Sequence, residues 1–138
     1  MRVFFHHDIS VNESPVGDTV MYDPQSGGLV HYKDNVYFLI NGCSSGRFGV
    51  DYWATGAKRI GDAEGTWRDA EDGRLDGGAI TEGSVDSTIG VHFSLTAGGS
   101  YEFYYWIAAG TTHDKVASLN HLILDRTPEK YLAYTENY

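Results

Sequence analysis

Val85-Asp86-Ser87-Thr88-Ile89-Gly90-Val91-His92-Phe93-Ser94-Leu95-Thr96 is the clearest strand in the chain. Its period of two predicts Val85, Ile89, Val91, Phe93 and Leu95 facing a core, with Asp86, Thr88, His92, Ser94 and Thr96 facing solvent. Ala97-Gly98-Gly99-Ser100 is read as a turn leading back into a second strand, Tyr101 to Ala109. There Tyr101, Phe103, Tyr105 and Ile107 oppose Tyr104 and Trp106, so both faces are apolar and the strand is placed in the middle of a sheet.

The same signals extend toward the N-terminus. Arg2 to Val11 alternates, with Val3, Phe5, His7, Ile9 and Val11 on one face and Phe4, His6, Asp8 and Ser10 on the other. A turn cluster at Asn12 to Gly17 precedes a short strand, Asp18 to Tyr22, which breaks at Asp23-Pro24-Gln25-Ser26-Gly27. Leu29 to Lys33 and Val36 to Asn41 flank Asp34-Asn35, a pair suited to a type I′ hairpin. Val50 to Thr55 reads as another strand, and the Gly- and Asp-rich stretch from Gly61 to Gly83 as a long ordered loop.

Toward the C-terminus the period changes. Thr111-Thr112-His113-Asp114 offers a helix cap, and Val116, Leu119, Leu122 and Ile123 form a helical stripe. Arg126-Thr127-Pro128-Glu129 repeats the start signal, with Pro at the first helical position. The prediction is a mainly β chain: an antiparallel β-sandwich portion over residues 1–110, then two short C-terminal helices in a helical segment over 111–138.

Composition narrows the function classes. The 138 residues form one domain, able to bury roughly two-thirds of the surface of the unfolded chain. Ten Tyr, three Trp and 17 Gly suit short strands joined by tight turns. A net charge of −9 opposes nucleic-acid binding, which depends on Lys and Arg neutralising phosphates. No apolar run approaches the roughly 20 residues that span a bilayer, so no membrane association is expected. His6-His7-Asp8 interrupts Val3-Phe4-Phe5 before a signal-peptide core forms, which predicts a cytoplasmic location. The single cysteine, Cys43, excludes an internal disulfide and is read as a loop residue in Asn41-Gly42-Cys43-Ser44-Ser45-Gly46.

Several constellations resemble chemical sites. Strand alternation separates His7 from His6 and Asp8, so His6-His7-Asp8 is read as structural hydrogen bonding rather than as a metal or acid–base cluster. No zinc motif, phosphate loop or nucleophile elbow occurs, and no cofactor or metal is expected. Asp62, Glu64, Asp69, Glu71, Asp72, Asp76 and Glu82 gather around Trp67 and Arg68. Paired carboxylates suit glycoside hydrolysis, and Asp69 with Glu71 is the pair an enzyme reading would use. Asp69-Ala70-Glu71-Asp72-Gly73 lacks the full EF-hand ligand pattern for calcium. Trp106 is expected inside the sandwich, whereas Trp67 is the aromatic most suited to stacking on a sugar. Trp67, Arg68, Asp69, Glu71 and Asp72 are therefore the candidate contacts for a carbohydrate or a neighbouring domain, with no catalytic residue assigned.

Four segments, Val3 to Asp8, Gly65 to Gly73, Gly83 to Thr88 and Tyr105 to Gly110, together resemble bacterial and archaeal proteins of glycoside hydrolase family 15. That family includes glucoamylases, glucodextranases and trehalases. The resemblance implies the later part of an N-terminal β-supersandwich, followed by a helical linker to an (α/α)6 barrel that carries the catalytic glutamates. On that reading the chain is a non-catalytic module supporting or capping an α-glucoside-hydrolysing barrel, in cis or in trans. The alternative is a free-standing module that binds an α-glucan or α-glucoside. Missing sandwich strands would leave apolar faces and strand edges open, so a homo-oligomer is expected.

Overall fold

The computed structural model describes residues 1–14, 16–44, 46–58 and 65–135. Among these residues nine strands form two antiparallel sheets. The smaller sheet orders β1 (Arg2–His7), β8 (Val85–His92) and β6 (Tyr52–Ala57), with β8 in the middle. The larger follows β5 (Arg47–Phe48), β4 (Val36–Ser44), β3 (Gly28–Lys33), β2 (Asp18–Asp23) and β7 (Ile80–Gly83), and β9 (Tyr104–Gly110) pairs with the other side of β4.

The two faces of the larger sheet bury different things. Leu29 and Ile40 meet Ile89 of β8 between the sheets, with Phe5, Tyr22, Trp53 and Tyr105 packed around them. The adjacent residues Val30 and Leu39 point the other way and join Ala108 and Val116 beneath helix α2 (His113–Arg126). The fold therefore has three layers: small sheet, large sheet and helix. Because a strand alternates its side chains, one β3–β4 hairpin supplies both cores.

Local signals placed most element ends correctly. Thr112 caps α2, its hydroxyl oxygen accepting from the Lys115 amide at 3.3 Å. Pro128 opens α3 (Pro128–Thr135) after Thr127 adopts φ 63°. The Asp34-Asn35 hairpin forms, but only Asp34 has positive φ, so the turn is not the type I′ expected. No helix among the described residues is long and apolar enough to cross a membrane.

Five expectations are corrected. β8 and β9 do not form a hairpin, since each is claimed by a different sheet and the chain between them crosses the sandwich. β9 is an edge strand, paired only with β4 among the described residues, and Ile107 is 46% exposed. Trp106 lies on the helix side of its sheet, its indole N–H donating to Asn120 Oδ1 at 3.0 Å. Cys43 is buried within β4, which continues to Ser44, and burial pushes its thiol pKa up. The supposed loop from Gly61 contains α1 (Trp67–Asp72) and β7; Gly61, Asp62, Ala63 and Glu64 lie outside the described residues.

Candidate functional site

The segment Gly65 to Gly73 is laid over the outer face of the small sheet. The Thr66 amide donates to both carboxylate oxygens of Asp86, each at 3.0 Å, and the Thr66 hydroxyl meets Thr88 Oγ1 at 2.9 Å. His6 Nδ1 reaches the same Thr88 oxygen at 3.1 Å, and His6 Nε2 stands 3.7 Å from Asp86. Arg2 closes the far end by donating to the Gly73 carbonyl at 2.7 Å. Asp86 and Thr88 are consequently buried, against the expectation that they face water. Period-two alternation was right about the face; covering by a distant segment decided its environment.

Gly65 makes this seat possible. Its φ is +44°, and a Cβ there would collide with the Asp86 carboxylate. The Thr66 side chain makes no cap bond to α1, because its hydroxyl is committed to the sheet. Gly73 ends the short helix with φ 74°, its N–H reaching the Ala70 carbonyl at 3.3 Å while the Arg74 amide reaches that of Asp69 at 2.9 Å. Replacing Asp86 by Asn should loosen this seat, since one acceptor becomes a donor and cannot receive the Thr66 N–H. Limited proteolysis is expected to cut between 65 and 75 at least about tenfold faster, with the melting temperature lowered by a few degrees.

All five sequence-predicted contact residues, Trp67, Arg68, Asp69, Glu71 and Asp72, sit on α1. Trp67 is 42% exposed, with the Arg68 guanidinium 5.4 Å from its ring centroid. Asp69 is half-buried, and its carboxyl pKa is raised by burial and then by the neighbouring charges of Asp76, Asp72 and Asp86. Glu71 and Asp72 are exposed, and Asp72 accepts from the Arg74 amide at 2.8 Å. Residues two apart diverge around a helix, so Asp69 and Glu71 do not face each other across a shared space. Glycosidic cleavage needs two carboxyls flanking one bond. The patch offers instead an aromatic face, a guanidinium and carboxylates along one short, largely exposed helix, a set suited to stacking and hydrogen bonding.

A second cluster is hidden between the sheets. Tyr105 Oη bonds His7 Nε2 at 2.8 Å, and Ser87 Oγ lies between His7 Nδ1 at 3.4 Å and His31 Nε2 at 2.7 Å. His7 and His31 are 6% and 1% exposed. Burial is the main cause of their low basicity, holding His7 down to about 4 and His31 to about 3. Both histidines are hydrogen-bonded inside the sandwich, and the partnership of His7 with His31 through Ser87 was not visible in the sequence. His6 pairs toward Asp86, while Asp8 forms an ion pair with Lys58. Among the described residues no three His, Cys, Asp or Glu side chains gather as a metal site.

The third feature is a groove of about 630 Å³ between β9 and the two C-terminal helices, including Trp106, Ile107, Leu119, Leu122, Tyr131 and Leu132 in its walls. None of its lining residues is charged.

No family model matches the chain, and no curated protein matches it. Among solved structures the fold resembles a crystal structure of bacterial glucoamylase complexed with acarbose, with a TM-score of 0.66 at 12% identity. The match covers 90% of this chain and 17% of the glucoamylase chain, so the present sequence spans less than a fifth of that protein. The similarity is one of fold.

Proposed function

We propose that the chain is a non-catalytic β-sandwich module of a glycoside hydrolase of the family 15 type, serving to support or cap a catalytic barrel that hydrolyses α-glucosides. The observation that carries this reading is the fold likeness to a 17% portion of a glucoamylase, together with the four sequence segments that resemble family 15. The residues agree with a supporting role: Asp69 and Glu71 are two apart on a short helix, so their carboxylates diverge rather than flank one bond. On this reading residues 1–110 form the sandwich portion, residues 111–138 lead toward the barrel, and Trp67, Arg68, Asp69, Glu71 and Asp72 face it.

The test is co-expression with a separately encoded family 15 catalytic barrel. The two should co-purify and restore hydrolysis of an α-glucoside that the barrel alone handles poorly. Absence of association would overturn the support role. The exposed Trp67 also favours a second reading, binding of carbohydrate without a barrel. Calorimetry with maltooligosaccharides, dextran and trehalose decides between them: millimolar or tighter binding by the isolated chain, lost in Trp67→Ala, would replace the first reading by the second.

A further inference from the structure

The segment Gly65 to Gly73 is tied to the small sheet by polar contacts at its two ends. At one end Thr66, 1% exposed, gives its amide to Asp86 and shares its hydroxyl with Thr88. At the other, Arg2 donates to the Gly73 carbonyl at 2.7 Å. Between these ties α1 has no buried residue, whereas Val85 to Val91 of β8 are all buried. Neither apolar cluster of the fold includes a residue of the segment. It can therefore leave the sheet without opening a core.

The same segment has the parts of a hinge. Gly65, with φ 44°, and Gly73, with φ 74°, stand at its ends, where glycine changes backbone region at little steric cost. Just beyond, the chain is fixed again: the Gly77 amide donates to the Trp53 carbonyl at 2.9 Å, and the Trp53 indole N–H to the Gly78 carbonyl at 3.1 Å. The six residues of α1 are too few to persist as an unsupported helix, since isolated helices below about 12–15 residues are marginal in water. Loss of the seat consequently melts the helix as well.

We propose that Gly65 to Gly73 is a hinged strap that opens and closes as one unit while both sheets stay folded, with Asp86 as its latch. Opening returns the Asp86 carboxylate and the Thr88 hydroxyl to water, so it costs the latch contacts rather than buried apolar surface. Trp67, Arg68, Asp69, Glu71 and Asp72 all ride on the strap. A partner that takes hold of them in this arrangement engages only the closed form, and its affinity is reduced by the fraction of chains that are open. That use rests on the reading of these residues as contacts; the opening itself requires only the chain.

Native-state hydrogen exchange of the intact chain at pH 7, followed amide by amide in low guanidinium, tests the device. The amides of Thr66, Ala70, Gly73 and Arg74 are all hydrogen-bonded in the closed strap. Relative to their unstructured rates they should exchange at least about 100-fold faster than amides in the centre of β8, and with little dependence on denaturant. Asp86→Asn should speed these four by about tenfold more than it speeds the amides of the β3–β4 hairpin. Arg2→Ala cuts the tie at Gly73 and decides whether the strap is one unit: the distant Thr66 amide should speed up by the same factor as the Arg74 amide, about threefold or more. These results, obtained together with failure of the barrel and carbohydrate tests, would sink the contact reading and uphold the hinge. An Arg2→Ala chain in which Arg74 speeds up and Thr66 does not would show independent fraying and overturn the proposal. A strap that exchanges only at the global rate, with the full denaturant dependence of β8, overturns it equally.

Discussion

Lowering the pH from 6.5 toward 4 is expected to remove on the order of 5 kcal/mol of folding stability through two side chains, His7 and His31. Both are held below the ordinary histidine value of 6.5, His7 to about 4 and His31 to about 3, chiefly because burial penalises the imidazolium. His6 adds repulsion at His7, while the Ser87 backbone bond opposes the shift. At His31 the repulsion comes from His7 and Lys58, with Asp8 acting in the opposite sense. Above pH 6.5 both histidines are neutral in the folded and unfolded chains, so their full stability is present. As pH falls below 6.5, only the unfolded chain takes up these protons, and the loss accumulates until the folded histidines also titrate.

Denaturant titrations at pH 7, 6, 5 and 4 check this directly. Replacing His31 by Gln keeps an amide able to bond Ser87 and removes one of the two protonation sites. The variant should be less stable than wild type at pH 7, because packing around a fully buried ring is disturbed. Its stability should nevertheless fall less steeply between pH 6.5 and 4. An unchanged slope in His31→Gln would show that other groups carry the acid sensitivity. The imidazole already leaves Nδ1 buried without a partner among the described residues, so the wild-type site is not at a hydrogen-bonding optimum.

Asn120→Ala is expected to cost about 2–4 kcal/mol, among the largest effects of any single helix substitution in this chain. Asn120 is 1% exposed, and its Oδ1 accepts from Asn41 Nδ2 at 3.1 Å and from the Trp106 indole N–H at 3.0 Å. One oxygen thereby ties α2 to two neighbouring strands of the larger sheet. Truncation leaves the indole donor unpaired under the helix, whereas Asn41 keeps its bond to the Ser26 carbonyl at 2.9 Å. The double-mutant cycle with Trp106→Phe should give a coupling of about 1–2 kcal/mol, because removing both partners avoids the orphaned donor. Additive losses would mean that the bond does not hold the helix. Chemical denaturation followed by tryptophan fluorescence is confounded by the Trp106 change, so far-ultraviolet circular dichroism is the appropriate readout.

The sequence by itself determined the local alphabet of this protein. Alternation located β1, β8 and the β3–β4 hairpin, while Thr112 and Pro128 located the helix starts, because each signal depends on backbone geometry within a few residues. The choice of face was also local: His7 and His6 do part to opposite sides of β1. For the candidate contacts, the sequence marked Trp67 to Asp72 as a polar and aromatic group, but not that they form a short helix seated by Asp86 and Thr88.

What covers each face was decided only by the tertiary structure. Asp86 and Thr88 read as solvent-facing until residues 65–73 fold over them from about 20 positions away in the chain. Tyr101 to Ala109 read as a central strand since both faces are apolar, yet apolarity records burial by sheet or helix and not the number of hydrogen-bonded neighbours. β9 is covered by the opposing sheet on one face and by α2 on the other, while among the described residues β4 is its one strand partner. The same long-range pairing separated β8 from β9 into different sheets. Periodicity is a property of successive residues; strand order and coverage are set by contacts between segments far apart in sequence, where alternation carries no address.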